Sequence, residues 1–322
     1  MLAKRGGFLI SLLLLFFFVS MGASWAMGKK QKKHLMGVLG DSISAATYSD
    51  TSEDALDVEL AALLPSWVTS RVISQVQPLF LIENKDTYSW ASGRRIQSHF
   101  MRLKKLIEED SQGEESLDVF NAAMPGDRTR DLGKQLTKLA HVLELGKYLS
   151  LKYVTFFIGS NDACFDESGF GTPDDRMAAE LKDAFKTLAG IRQSEAIRVQ
   201  VSSMPQIPNL GARNFMERPT LGIFTCAVLQ LKILKSCNPL LVWSTDSEYR
   251  KRMSIVETKN GLIERVALEA AQEFSNLDIH FSRHIFEQAI VPEHLAADCF
   301  HPNQLGQQVI SDLLWEDQPW FG

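Results

Sequence analysis

No Pro/Ser/Gly-rich linker, low-complexity tract or internal repeat interrupts the 322 residues, so the chain reads as one domain with insertions rather than a string of modules or a solenoid. Excess charge of either sign is also missing. The formal charge is -5, with 23% charged and 45% hydrophobic residues, which sets disorder aside and leaves material for a sizeable core. The single basic run, Lys29, Lys30, Lys32 and Lys33, reads as a solvated N-terminal tail, and without a basic face nucleic acid is not an expected partner. H-E-x-x-H is absent, as is G-x-S-x-G around Ser42, which counts against a helix-borne zinc site and against the elbow of the α/β-hydrolases. Cysteine is scarce, and the spacing of Cys164, Cys226, Cys237 and Cys299 fits no zinc pattern.

What is present begins with an apolar stretch from Phe8 to Val19, preceded by Lys4 and Arg5 and followed by small residues ending in Ser24-Trp25-Ala26. That layout predicts a secretory signal over residues 1–26, cleaved after Ala26. The competing reading is an uncleaved anchor, because Gly6 to Ala26 is also long enough to span a bilayer. Either way the rest of the chain is exported, to the periplasm or the medium, and in such an oxidising space four cysteines can form two disulfides. Cys226 and Cys237 flank one short segment and are expected to pair, leaving Cys164 with Cys299, although sequence alone does not give the pairing.

Apolar runs at Leu35–Asp41, Leu117–Ala123, Tyr153–Gly159, Ile197–Ser203 and Leu277–Phe281 predict strands of the kind buried in a parallel sheet. Between them Leu132, Leu136, Leu139 and Leu143 recur at helical spacing, as do Met177, Leu181, Phe185 and Leu188, and then Ile263, Val266, Ala270 and Phe274. Leu305, Val309, Ile310 and Leu313 make a last apolar stripe, with Asn303 as its N-cap. The alternation predicts a doubly wound α/β sheet with helices on both faces.

In such sheets ligands bind beyond the carboxyl ends of the strands. Ser42 follows the first predicted strand, Gly126 the second, and Asn161-Asp162 the third, while Asp298 and His301 precede the final helix. These types suit acyl transfer. A serine hydroxyl needs a histidine base, the base needs a third group to orient it, and the tetrahedral oxyanion needs donors already in place. Ser42 has a competing reading as a helix N-cap, since serine is among the preferred caps.

Gly40-Asp41-Ser42, Gly126, Gly159-x-Asn161-Asp162 and Asp298-x-x-His301 occur in the order and spacing of the SGNH, or GDSL-type, hydrolases, which the chain resembles over nearly its whole mature length. The resemblance implies a three-layer α/β/α, flavodoxin-like fold with a parallel five-stranded sheet. It implies Ser42 as nucleophile, His301 as base, Asp298 as its partner, and Gly126, Asn161 and the Ser42 amide as oxyanion donors. Residues 158–164 and 298–302 resemble the phospholipase B-like branch, and residues 89–103 resemble secreted bacterial GDSL esterases, which favours carboxylic esters, lipids among them, with contact at a membrane surface if so. The chemistry calls for no cofactor, and no obligate protein partner is implied. The same acyl-enzyme can serve an acyltransferase, and the same scaffold an inactive lipid- or glycan-binding protein.

Residues 220–243 depart from those relatives. They form an unusually apolar insertion, read either as a lid or acyl-binding wall or as a disulfide-pinned helix on the core. Asp41 and Asp162 are expected to steady the active-site loops rather than hold a metal, and His99, His141, His280 and His284 to serve as packing or surface residues. Trp90 either lines the cleft or fills core.

Overall fold

The computed structural model describes residues 31–50, 85–164, 171–220, 224–234 and 237–321; the expected signal at 1–26 and residues 221–223 and 235–236 of the insertion lie outside them. Five parallel strands, β1 (Lys32–Gly40), β2 (Glu115–Asn121), β3 (Ser150–Phe157), β4 (Ile197–Ser202) and β5 (Leu277–Ser282), form one sheet in the order β2-β1-β3-β4-β5. All five predicted strands are present. β1 starts earlier than the apolar run, so Lys32 and Lys33 belong to it rather than to a tail, both side chains still exposed.

The period-two alternation of the strands divides the core. Leu35, Leu39, Val154 and Phe156 face one side and pack under α2 (Leu132–Leu145), α3 (Asp174–Ala189) and α4 (Asp246–Glu273). Met36, Val38, Tyr153 and Phe157 face the other, covered by α1 (His99–Asp110) and α5 (Gln304–Asp317). Phe185 of α3 is fully buried and stacks on Phe156 with ring centroids 5.1 Å apart, a burial that contributes about 1.5–3 kcal/mol. The result is a three-layer α/β/α sandwich.

Several helix ends follow from local chemistry. Ser98 caps α1 by accepting the Met101 N–H, Thr245 and Glu248 form a reciprocal capping box on α4, and Asn303 caps α5 by accepting from Gly306 N–H at 2.9 Å. Helix α5 corrects the sequence reading in one respect. Its wholly buried residues are Gly306, Gln307, Ser311 and Leu314, whereas Val309, Ile310 and Leu313 are only half-buried and Leu305 is exposed. Gly306 is forced by close approach, since a Cβ there would lie 2.3 Å from the His294 carbonyl oxygen.

The cysteines also pair otherwise than expected. Cys164 bonds Cys237 and Cys226 bonds Cys299. Proximity in sequence misled, because the turn between Cys226 and Cys237 carries the two side chains toward different loops.

Candidate active site

Ser42 follows β1 directly, and residues 42–46 form turns rather than the first turn of a helix, so Ser42 is not the N-cap that its flanking residues allow. Its Oγ lies 2.8 Å from Nε2 of His301, a residue 259 positions away. Nδ1 of His301 lies 2.5 Å from Oδ2 of Asp298, while Oδ1 accepts the backbone N–H groups of Phe300 (3.1 Å) and His301 (3.0 Å). A buried carboxylate can only accept, so the proton sits on Nδ1 and Nε2 is left to accept from the Ser42 hydroxyl. Rings of Tyr48 and Phe300 stand 5.2 Å and 5.1 Å from the imidazole, and burial pushes the Tyr48 phenol up to about 12.

Asn161 lines the same cleft as Ser42 and His301, and the Gly126 turn is bonded to it through Asp127. Asn161, on the short turn after β3, donates one side-chain N–H to the Asp127 carbonyl at 2.9 Å and keeps the second free to point elsewhere. Gly126 precedes Asp127 at φ +81°, and a Cβ would meet nothing there, so the demand for glycine is conformational rather than steric. Neither the Ser42 nor the Gly126 amide donates a hydrogen bond among the described residues.

Sequence reasoning missed two glutamines that hold this arrangement. Buried Gln135 of α2 accepts from Gly40 N–H (2.9 Å) and donates to Gly40 O (2.7 Å) and to the Asp127 carboxylate (2.7 Å), tying the end of β1 to the Gly126 turn. Gln307 of α5 accepts from Trp90 N–H and donates to the Ile43 carbonyl, both at 2.9 Å. The available signal was a polar residue on an otherwise apolar helix stripe. Trp90 is core, fully buried against Phe157 and His99.

The flanking acids steady the loops as expected. Asp162 accepts the Thr129 N–H (3.0 Å) and hydroxyl (2.9 Å), and burial holds its carboxyl above the usual range against those bonds. Asp41 is wholly buried; Oδ1 accepts from Ile43 N–H, Oδ2 has no partner among the described residues, and burial pushes the carboxyl up to about 7. Among the described residues no group of three or more metal-ligating side chains occurs.

Asp41 therefore gives a stability prediction. Unfolded, it ionises near 3.8, while the native state keeps the proton to about 7, so its contribution is fully present below pH 3.8 and is lost as pH rises through 7. Asp41→Asn removes the titration. Urea unfolding at several pH values should show the variant gaining stability relative to the parent between pH 4 and 8, by up to about 4 kcal/mol. A constant difference would mean that Asp41 is already ionised in the native state.

Beside Ser42 and His301 opens a cleft of about 790 Å³, open mouth included. Its walls are mostly apolar: Ile43, Phe157, Leu210, Ile285, and from α5 Ile310 and Leu313. Val309, Ile310 and Leu313 of the predicted apolar stripe thus face the cleft, and no described residue of 220–243 lines it.

Known proteins with a similar fold include TesA, at 17% identity and TM-score 0.41 over 88% of this chain and 97% of that one. The esterase EstA from Pseudoalteromonas sp. is 13% identical at TM-score 0.40, covering 88% and 95%, and a Clostridium thermocellum family 3 carbohydrate esterase is 10% identical at 0.45, covering 89% and 95%. Among curated proteins none matches the sequence. The sequence model of the GDSL-like lipases and acylhydrolases matches residues 36–314, from within β1 into α5, and the chain therefore belongs to that family and is a hydrolase of carboxylic esters.

Proposed function

We propose that the chain is an exported serine hydrolase that cleaves esters of aliphatic acids through an acyl-enzyme on Ser42. The observation that carries this reading is the hydrogen-bonded run Ser42, His301, Asp298 at the edge of an apolar cleft. His301 takes the Ser42 proton as Oγ attacks the ester carbonyl, and the Asp298 carboxylate stabilises the imidazolium that forms. The amides of Ser42 and Gly126 and the second N–H of Asn161 receive the oxyanion. Collapse returns the proton to the leaving alcohol, and water repeats the sequence to release the acid. Export is supported by the two disulfides, which fit an oxidising compartment, and no helix among the described residues is long and apolar enough to cross a membrane.

The cleft supports an acyl chain of intermediate length. From Gly306 to Leu313 the α5 wall runs seven residues, about 10 Å at the helical rise, which matches an extended chain of about eight carbons. Each buried methylene contributes about 0.8 kcal/mol, so kcat/KM on p-nitrophenyl esters should climb from acetyl to about octanoyl and then level. A maximum at acetyl would remove the acyl chain from this cleft. The nucleophile is tested by a fluorophosphonate, which should label Ser42 in the mass spectrum; labelling elsewhere, or none, would refute the acyl-enzyme.

A further inference from the structure

Described residues between 218 and 243 bond the loops that carry the candidate reacting groups. Pro219–Thr220 and Phe224–Thr225 pair as a small antiparallel ribbon, followed by Cys226–Val228, a π-helical run Leu229–Leu234 and the short helix Asn238–Leu241. Leu240 and Leu241 anchor the segment in the main core. On the side of the base, Arg218 donates to the Pro292 carbonyl, Thr220 Oγ1 to the Ala297 carbonyl, and the buried Gln230 amide to the Asp298 carbonyl. Cys226 is bonded to Cys299, which stands between Asp298 and His301 at φ +62°, a conformation that an L-residue holds only when its surroundings impose it. On the other side Cys237 is bonded to Cys164, three residues beyond Asn161.

Both disulfides thus run from one segment to the two loops that carry the machinery, one to Asp298 and His301 and the other to Asn161. No described residue of the segment lines the cleft, so what the described part can supply is position. A π-helical run, which is uncommon, aims Gln230 at the Asp298 backbone.

We propose that residues 218–243 are a covalent strap that sets the base against the nucleophile, with Gln230 as a positioning residue, and that formation of the Cys226–Cys299 bond switches the hydrolase on. The proposal rests on the roles given above to Ser42, His301 and Asp298. In the off direction a dithiol attacks one sulfur of the bond as thiolate, the other cysteine leaves as thiolate, and the second thiol of the reductant closes to a cyclic disulfide; two electrons and two protons pass to Cys226 and Cys299. A low-molecular-weight disulfide reverses the exchange.

The test uses the full oxidised chain beside Cys226→Ala/Cys299→Ala and Gln230→Ala, with p-nitrophenyl octanoate kinetics, the rate of fluorophosphonate labelling at Ser42 and circular dichroism. Displacement of a base by a fraction of an ångström to one ångström should lower kcat of the double variant about tenfold to a hundredfold with KM nearly unchanged, and slow labelling in proportion. Dithiothreitol should reproduce that loss in the parent and oxidised glutathione should restore it, while the double variant, in which only the Cys164–Cys237 bond is left to reduce, should lose much less than the parent. Gln230→Ala, which keeps both disulfides, should show the same kcat-only loss on a smaller scale, and Gln230→Glu, which keeps the side-chain length without the donor, should not rescue it. A double variant that retains its kcat overturns the proposal. If that variant fails to fold, Gln230→Ala decides, and an unchanged kcat and labelling rate there overturns it. An oxidised parent that neither labels at Ser42 nor hydrolyses the ester refutes the underlying mechanism instead.

Discussion

Replacing Ser42 with alanine should lower kcat on p-nitrophenyl esters by about 10⁴–10⁶ while leaving KM within a small factor, since the acyl-enzyme route is lost and the cleft and oxyanion donors stay. The native fold should survive. Ser42 is followed by turns whose own bonds, Ala45 N–H to Asp41 O and Thr47 N–H to Ser42 O at 3.0 Å each, use backbone atoms only. Among the described residues the side chain bonds His301 alone, so removing Oγ deletes one hydrogen bond at the edge of a cleft, a loss of about 1 kcal/mol. Kinetics and urea unfolding on one preparation separate the two effects. Retention of more than a tenth of the activity would place the nucleophile elsewhere.

The second large effect is expected at Asp298. Its Oδ1 accepts two backbone N–H groups and its Oδ2 the His301 Nδ1–H, so all of its partners are donors. Asparagine keeps the shape but supplies only one acceptor oxygen. If that oxygen satisfies the backbone pair, the amide N–H₂ faces Nδ1, the imidazole proton moves to Nε2, and the ring can no longer accept from Ser42. A fall in kcat of about 10⁴ is expected for that tautomer reversal, with fluorophosphonate labelling slowed alike. Asp298→Glu should not rescue, because the carboxylate is packed in a loop closed by the Cys226–Cys299 bond and the Ala296 N–H to His301 O bond. A kcat unchanged by Asp298→Asn would mean that His301 keeps its tautomer without a carboxylate.

The strands were legible because strands buried on both faces are nearly continuous apolar runs, and Ser42, Gly126 and Asn161 stood out as candidates because each comes soon after such a run at the sheet's carboxyl edge, whereas Asp298 and His301 were marked by the loop before α5. What could not be read depends on contacts between distant segments. Periodicity showed that Val309, Ile310 and Leu313 share a face of α5 but not what the face looks onto; the helix instead buries Gln307 and Ser311, whose partners, Trp90 with Ile43 and Gln97, come from elsewhere in the chain. Helix α1 was not identified at all, its buried positions being only His99, Phe100 and Leu103. His99 fits there because its ring accepts from Tyr153 OH at 2.8 Å and donates to the Ser311 carbonyl at 3.1 Å, and burial holds its pKa down to about 3. The cysteine pairing depends on where a π-helical run turns, which four positions in a sequence do not encode.

The separation of 259 positions between Ser42 and His301 bears on the life of the nascent chain. Synthesis is vectorial, and translocation, if it follows, threads the amino end first. Ser42 leaves the ribosome 259 positions ahead of His301, so on the proposed mechanism the nucleophile waits for its base. Any product that stops before His301 lacks that base. Hydrolytic activity is therefore expected only once the loop before α5 has docked against β1, and an ester assay during refolding should report that docking rather than the collapse of the sheet.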